Sequence, residues 1–441
     1  MLKRMLCSAA FVGALVLFAP ALRADMGTAL PQAAAEQVGM SKQKLDRIRP
    51  ALQREVDEGK LAGTVVMVAR KGKLVYADAV GFQDKAESKP MALDSVFRIY
   101  SMTKPLVSVA AMMLVEDGKI QLTDPISKFL PAFKNQQVSV ARADAQFARV
   151  TYTAVPADRE ATVQDLLRHT AGLAYGEITV NAPVKAAYGA AGVHLPNARD
   201  FDSRDMTSAE QAERVGKAPL AHQPGRVWEY SLASDILGRV VEAASGKRLG
   251  EFLDERMFKP LRMTDTAFWV PVDKMARLAQ PLPVDLASGQ PNKLIDVSAQ
   301  PKNDSGGAGA VSTARDYLRF AQMMLNGGQL DGERVLSRTT VALMTSDHLG
   351  THISAPVTPG ELGLGTLGYG FGLGFAVRLA PGIAAVPGSQ GDYMWAGYAG
   401  TYFWVDPKEE LAVVYMSQAP SPIRAHYRRL IRQLVYQAIV D

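Results

Sequence analysis

Between Ser41 and Lys60 the apolar residues Leu45, Ile48, Leu52 and Val56 recur at intervals of three and four. That is the period of a helix with one buried face, and Ser41 stands where an N-cap belongs. The pattern then changes to two β-rich runs on either side of Lys71-Gly72-Lys73, in GTVVMVARKGKLVYADAVG, which predicts a hairpin. After YSMTKP comes LVSVAAMMLVEDGKI, whose Val, Ala and Met cover nearly every side of a helix. Such a helix is expected in the middle of a protein.

From Thr162 to about Val297 helical pieces dominate, among them TVQDLLRHTAGL and SLASDILGRVVEAASGK. Between these two, Ala174 to Gln223 has irregular periodicity with scattered Gly and Pro, which predicts a lid or binding loop. Thr313 to Gly327 is again amphipathic and ends in glycine. Strand patterns return in GYGFGLGFAVRL, GTYFWVDP and LAVVYMSQ, and PIRAHYRRLIRQLVYQAIV closes the chain as a helix. Its Arg424, Arg428, Arg429 and Arg432 are expected on the solvated side of a packed helix rather than on a membrane surface. Strands and helix at both ends of a helical middle predict an α/β domain split into 25–100 and 301–441. A mostly helical domain, 101–300, is inserted between the two parts and carries the lid-like loop 174–223.

Composition adds a compartment. Lys3 and Arg4 precede an apolar run to Phe18 and then small residues, the pattern of a cleavable secretory leader over 1–24, cut after Ala21 or Ala24. The run is shorter than the ~20 residues that span a bilayer, so the mature protein is expected to have no stable membrane insertion. Cleavage removes Cys7, the single cysteine, which suits a secreted or periplasmic protein and excludes cysteine catalysis. The net charge of +5 falls to +3 without Lys3 and Arg4, and to +2 if Arg23 goes too. So weak a balance predicts no nucleic-acid partner. With 441 residues, 48% hydrophobic and 21% charged, the chain can bury a large core.

Several literal motifs lack their context. GLGTLG, Gly363 to Gly368, is followed by strand-like rather than helical sequence, unlike a dinucleotide site. NDSGGAG, with Ser305, reads as a tight turn before the Thr313 helix, since a chymotrypsin-type serine needs an all-β fold. G-x-S-x-G and H-E-x-x-H are absent from the sequence. That leaves FRIYSMTKP. If Ser101 opens the Pro105 helix, Lys104 lies one turn on along the same face. A serine hydroxyl needs a base, and lysine serves as one when burial or a neighbouring cation lowers its pKa. The apolar helix that follows supplies such a setting. In PGRVWEYSLASDILG, Tyr230 stands just before a helix, where its phenol can share the serine proton. In MWAGYAGTYFWVDP, Ala396 and Gly397 lie between Trp395 and Tyr398 at the expected start of a strand. A backbone N–H there can point at a bound ester carbonyl and join that of Ser101 in an oxyanion hole.

Taken together, these stretches resemble the penicillin-recognising serine hydrolases, a group that includes class C β-lactamases, DD-peptidases and family VIII carboxylesterases. Ser101-Met102-Thr103-Lys104 matches its S-x-x-K, Tyr230 begins its tyrosine motif, and Trp395-Ala396-Gly397 falls on its K-T-G. LLRHTAGL, PGRVWEYS, GGAGAVSTARDYLRFAQMMLNGG and GTYFWVDP also look like members of this group, and the resemblance runs from about Met40 to the C-terminus. It implies a serine β-lactamase-like α/β fold, with an antiparallel sheet flanked by helices, an all-helical domain and the site between them. It also implies acyl transfer through an acyl-enzyme on Ser101. Lys104 and Tyr230 would act as coupled base and acid, and the N–H groups of Ser101 and Tyr398 as oxyanion donors.

Two positions depart from class C β-lactamases: Leu232 replaces the asparagine of Tyr-x-Asn, and Trp395 replaces a lysine. W-x-G marks the esterase branch, so Trp395, Ala396, Gly397 and Leu232 are expected to contact a neutral, apolar substrate. The expectation is a serine carboxylesterase for short-chain acyl esters, with weak β-lactam hydrolysis, no cofactor and no metal. A DD-peptidase or β-lactamase, and a catalytically silent cell-wall binding protein, are the competing readings. Oligomeric state and acyl-chain length are not encoded in these motifs.

Overall fold

A computed structural model describes residues 29–144, 149–195 and 203–441, and the predicted leader, 1–24, lies outside the described residues. The two runs around Lys71-Gly72 form the antiparallel strands Gly63–Arg70 and Lys73–Asp84. Lys71 and Gly72 both have positive φ, 51° and 72°, as a two-residue hairpin turn requires. On its other side Gly63–Arg70 pairs with Leu411–Ser417, with Val65 opposite Met416. Both strands are buried along their whole length, which is why VVMVA and LAVVYM show no polar alternation.

These strands sit within an eight-stranded antiparallel sheet that joins the two ends of the chain. Its order is Tyr369–Phe371, Ala376–Arg378, Tyr393–Ala396, Tyr402–Asp406, Leu411–Ser417, Gly63–Arg70, Lys73–Asp84, Lys89–Pro90. Successive side chains of a strand point to opposite faces, and Tyr402-Phe403-Trp404 shows what covers each. Phe403 meets Tyr317 of the helix Ala314–Leu325, ring centroids 4.9 Å apart. Tyr402 and Trp404 meet Arg432 and Tyr436 of the helix Arg424–Tyr436.

The predicted helix from Ser41 is two helices, Lys42–Leu45 and Ile48–Asp57. Ser41 caps the first by accepting the Lys44 N–H, and Leu45, Ile48, Leu52 and Val56 are all buried. Pro50 has no N–H to give the carbonyl of Asp46, so the helix breaks before it. The apolar helix spans Thr103–Glu116, is buried from Thr103 to Leu114, and packs on the helix Ala233–Ser245.

Three expectations need correction. The stretch 174–223 is not a loop throughout: it holds the helices Ala182–Ala190 and Ser208–Gly216. Their signals were caps rather than periodicity, Asn181 before the first and a Thr207–Glu210 capping box before the second. The helical middle also contains a β-hairpin, Gln137–Asp144 with Arg149–Pro156. On the last helix, Arg428 and Arg432 are buried rather than solvated. Arg432 pairs with the fully buried Asp392 and donates to Tyr402 Oη at 2.9 Å and the Pro387 carbonyl at 2.6 Å. Burial of a guanidinium is tolerated there because each nitrogen meets an acceptor.

Arg432→Met leaves Asp392 with Arg378 as its remaining cation, 3.4 Å away. Breaking a buried pair from one side costs about 3–5 kcal/mol. A loss of that size is expected from the urea midpoint and slope at constant pH.

Candidate active site

Ser101 sits in a tight turn, Tyr100–Met102, that leads into the helix Thr103–Glu116. Tyr100 has φ 45°, a conformation that bulky residues rarely adopt. Contacts from separate elements hold the turn in place. Tyr317 Oη donates to the Met102 carbonyl at 2.8 Å, and the Ile295 N–H donates to Tyr100 Oη at 3.0 Å. The Ile99 N–H donates to the Ala310 carbonyl at 3.0 Å, and the Ala310 N–H to Thr103 Oγ1 at 3.1 Å.

Lys104 is 1% exposed. Its Nζ lies 3.4 Å from Ser101 Oγ, 3.0 Å from Tyr175 Oη and 2.8 Å from the Gly307 carbonyl. Tyr230 Oη donates to Ser101 Oγ at 2.6 Å, and Lys104 Nζ stands 4.6 Å from the centre of the Tyr230 ring. The fold thus brings Ser101, Lys104 and Tyr230 together from two distant segments. Aromatic rings fix the phenol: His169, Tyr175 and Trp395 lie 5.1, 5.3 and 5.5 Å from it, centroid to centroid.

Ser101, Tyr230, Trp395, Ala396, Gly397 and Tyr398 line one cleft, with about 620 Å³ of empty space including its mouth. Ala396 and Gly397 stand at the end of the strand Tyr393–Ala396, not at its start. A methyl at Gly397 would lie 2.2 Å from Thr401 Oγ1 and 2.3 Å from the Ile99 carbonyl oxygen. The strand end therefore packs directly on the backbone that precedes the Ser101 turn. Leu232 is the one predicted contact residue that does not reach the cleft. It is fully buried at the N-cap of the helix Ala233–Ser245, so its side chain belongs to the core.

Sequence reasoning missed four parts of the site. Tyr175 lay within the presumed loop. The Ser305–Gly307 turn is not a nucleophile, but it brings the Gly307 carbonyl to Lys104. Asp235 holds this turn: its Oδ1 accepts from Ser305 Oγ at 2.6 Å and from the Gly307 N–H at 3.2 Å. A methyl at Gly307 would lie 2.2 Å from Asp235 Oδ2, so glycine fits there without displacement. Arg424 and Arg428, assigned to solvent by helical pattern, line the cleft. The signal for Tyr175 was its place just after RHTAGL; nothing in the local sequence marks Asp235.

Burial raises the pKa of Asp235, while the charge of Lys104 and the hydrogen bonds that Asp235 accepts from Ser305 Oγ and the Gly307 N–H act in the opposite direction. Burial, assisted by Lys104, holds His169 well below its usual pKa, so it is neutral across the physiological range. Among the described residues no three His, Cys, Asp or Glu side chains gather as a metal site needs, and no helix is long and apolar enough to cross a membrane.

The sequence model of the β-lactamase family matches residues 48–437. Protein Rv1367c of Mycobacterium tuberculosis is 36% identical over 388 residues, covering 85% of this chain and 90% of its own. Esterase EstB of Burkholderia gladioli is 30% identical over 395 residues, covering 84% and 89%. Among solved structures, EstCE1, described as a hydrolase with promiscuous acyltransferase activity, superposes with a TM-score of 0.69 at 28% identity. It covers 89% of this chain and 99% of its own.

Gly397→Ala must push the strand end away from Ile99 and the Ser101 turn. Misplacement by about 1 Å is enough to cost about 100-fold in rate, and a fall of that order is expected in kcat of the folded variant. Below about pH 6.5 the unfolded chain protonates His169 and the folded chain does not. Stability is therefore expected to fall with pH there, by up to about 1.4 kcal/mol per unit from this group. His169→Asn should flatten that part of a Tm-against-pH curve.

Proposed function

We propose, for a chain that belongs to the β-lactamase family and is a serine hydrolase of carboxylic esters, that it cleaves short-chain acyl esters through an acyl-enzyme on Ser101. The observation that carries this reading is Ser101 Oγ within 2.6 Å of a phenol and 3.4 Å of a buried lysine amine. The Gly307 carbonyl can only accept a hydrogen bond, and Tyr175 Oη is placed to accept a second. In the neutral amine those two contacts use both N–H groups and turn the lone pair of Lys104 toward Ser101. That orientation is what a general base requires.

In this mechanism the Ser101 proton passes to the Lys104–Tyr230 pair as Oγ bonds to the ester carbonyl carbon. The carbonyl π pair moves to oxygen, where the N–H groups of Ser101 and Tyr398 receive the anion. Collapse re-forms the carbonyl and expels the alcohol, which takes its proton from Tyr230. Water then repeats the sequence in reverse roles, giving the carboxylic acid and free Ser101. No cofactor enters any step.

Apolar acyl groups are favoured by the lining. Trp395 stands where β-lactamases carry a cation, and Ile178 and Leu362, 52% and 37% exposed, form apolar sides of the cleft. Weak β-lactam hydrolysis, of cephalosporins above all, follows from the shared acylation chemistry. Export by the leader at 1–24 would place the reaction outside the cytoplasm.

A panel of p-nitrophenyl esters of increasing acyl length, run beside nitrocefin, tests the reading. Acetate and butyrate should be hydrolysed with kcat/KM well above that for nitrocefin. Ser101→Ala should lower kcat by at least about 1,000-fold, and Tyr230→Phe by about 100- to 10,000-fold. Undiminished ester turnover in Ser101→Ala would sink the assignment.

A further inference from the structure

Arg428 is a buried cation that no carboxylate among the described residues pairs with. It is 3% exposed, donates from one terminal nitrogen to the Gly363 carbonyl at 2.8 Å and from the other to the Gly397 carbonyl at 2.5 Å. Its Nε has no hydrogen-bond partner among the described residues. Burial, and then the nearby charge of Arg424, pull its pKa from the ordinary arginine value down to about 9. A guanidinium so placed weakens the resting fold. The other buried arginine of this helix, Arg432, is compensated by Asp392.

The position of the second hydrogen bond supplies the reason. The carbonyl of Gly397 and the N–H of Tyr398 are the two ends of one peptide group, and in a trans peptide they point in opposite directions. Arg428 holds the outer end, and the inner end is the proposed oxyanion donor. The Gly400 N–H also donates to the Gly397 carbonyl at 3.1 Å, and the Gly397 N–H donates to the Thr401 carbonyl at 2.8 Å. Two donors, Arg428 and the Gly400 N–H, therefore hold the carbonyl end of this peptide, and the Gly397 N–H anchors the peptide before it. A cation on a carbonyl oxygen draws electron density through the amide and makes its N–H a stronger donor, as in any polarised hydrogen-bond chain.

Building on the acyl-enzyme reading above, we infer that Arg428 is a positioning residue for the oxyanion hole. It fixes and polarises the Gly397–Tyr398 peptide, so that the Tyr398 N–H binds the tetrahedral anion more tightly than the ground-state carbonyl. Its charge lacks a carboxylate because its counter-charge is the oxyanion, present only during turnover. Interactions of this kind raise kcat rather than lower KM.

Mass spectrometry of the wild type after mixing with p-nitrophenyl butyrate comes first. Absence of an acyl adduct on Ser101, with turnover intact, sinks the acyl-enzyme reading itself. With the adduct present, Arg428→Gln, which keeps a neutral donor, is compared with Arg428→Lys, which keeps the charge. Arg428→Gln should lower kcat by about 10-fold or more with KM within twofold. The inhibition constant of phenylboronic acid, whose boron takes the Ser101 oxygen and becomes a tetrahedral anion, should rise by the same factor. The infrared carbonyl stretch of the acyl-enzyme should move to higher frequency, and Arg428→Lys should lie between the two. Wild-type values of kcat, boronate affinity and carbonyl frequency in Arg428→Gln would overturn the inference. So would a fall in kcat with an unmoved carbonyl frequency, which marks a merely structural role. If Arg428→Gln does not fold, an unmoved frequency in Arg428→Lys overturns it equally.

Discussion

A lysine amine with almost no access to water sets the terms for this molecule. Lys104 sits at the start of a helix that is itself buried, so its amine must find its hydrogen-bond partners within the protein rather than in water. Its stable arrangement requires fixed partners, and each comes from a different part of the chain: Ser101 beside it, Tyr175 from the helical segment, Gly307 from the turn before the Thr313 helix. Asp235 then secures that turn from a further helix. Satisfying one buried nitrogen therefore ties the helical middle to the α/β part at the candidate active site.

The aromatic residues extend that constraint outward. Tyr230 is held among His169, Tyr175, Trp228 and Trp395, and Phe371 of an edge strand closes on Trp228 and Trp395 at 5.5 and 5.2 Å. Edge-to-face and tilted contacts of this sort contribute about 0.5–1.5 kcal/mol each beyond area burial. Their more specific effect is directional, since the phenol oxygen keeps its 2.6 Å contact with Ser101 only if the ring cannot swing. Trp395 thus places an apolar ring at the cleft that also supports Tyr230.

The C-terminal helix plays a second, less obvious part. Its arginines pass through the apolar layer beneath the sheet and end on backbone carbonyls, those of Pro387, Gly363 and Gly397. In that way a helix remote from Ser101 in sequence holds the strand end that packs beside the Ser101 turn. Carbonyl capture by guanidinium is geometrically exact where packing alone would leave a strand terminus free to fray.

The chain's local patterns determined its elements and its proposed nucleophile. The hairpin at Lys71-Gly72, the apolar runs of the central strands, the S-x-x-K turn and the tyrosine before its helix are all short-range signals, set by steric rules and periodicity within a few residues. The tertiary structure decided which residues lie deep. Arg428 and Arg432 fall on a helix with the pattern of a solvated face, and only the carbonyls and Asp392 opposite them make burial tolerable. Leu232 follows Tyr230 by two residues yet turns into the core, because a helix begins there. Tyr175 and Gly307 reach Lys104 across 71 and 203 residues of chain, and Asp235 secures Gly307 across 72. Local sequence carries no record of such distances, since hydrogen bonds between remote segments are fixed by the packing of whole elements and not by the residues beside them.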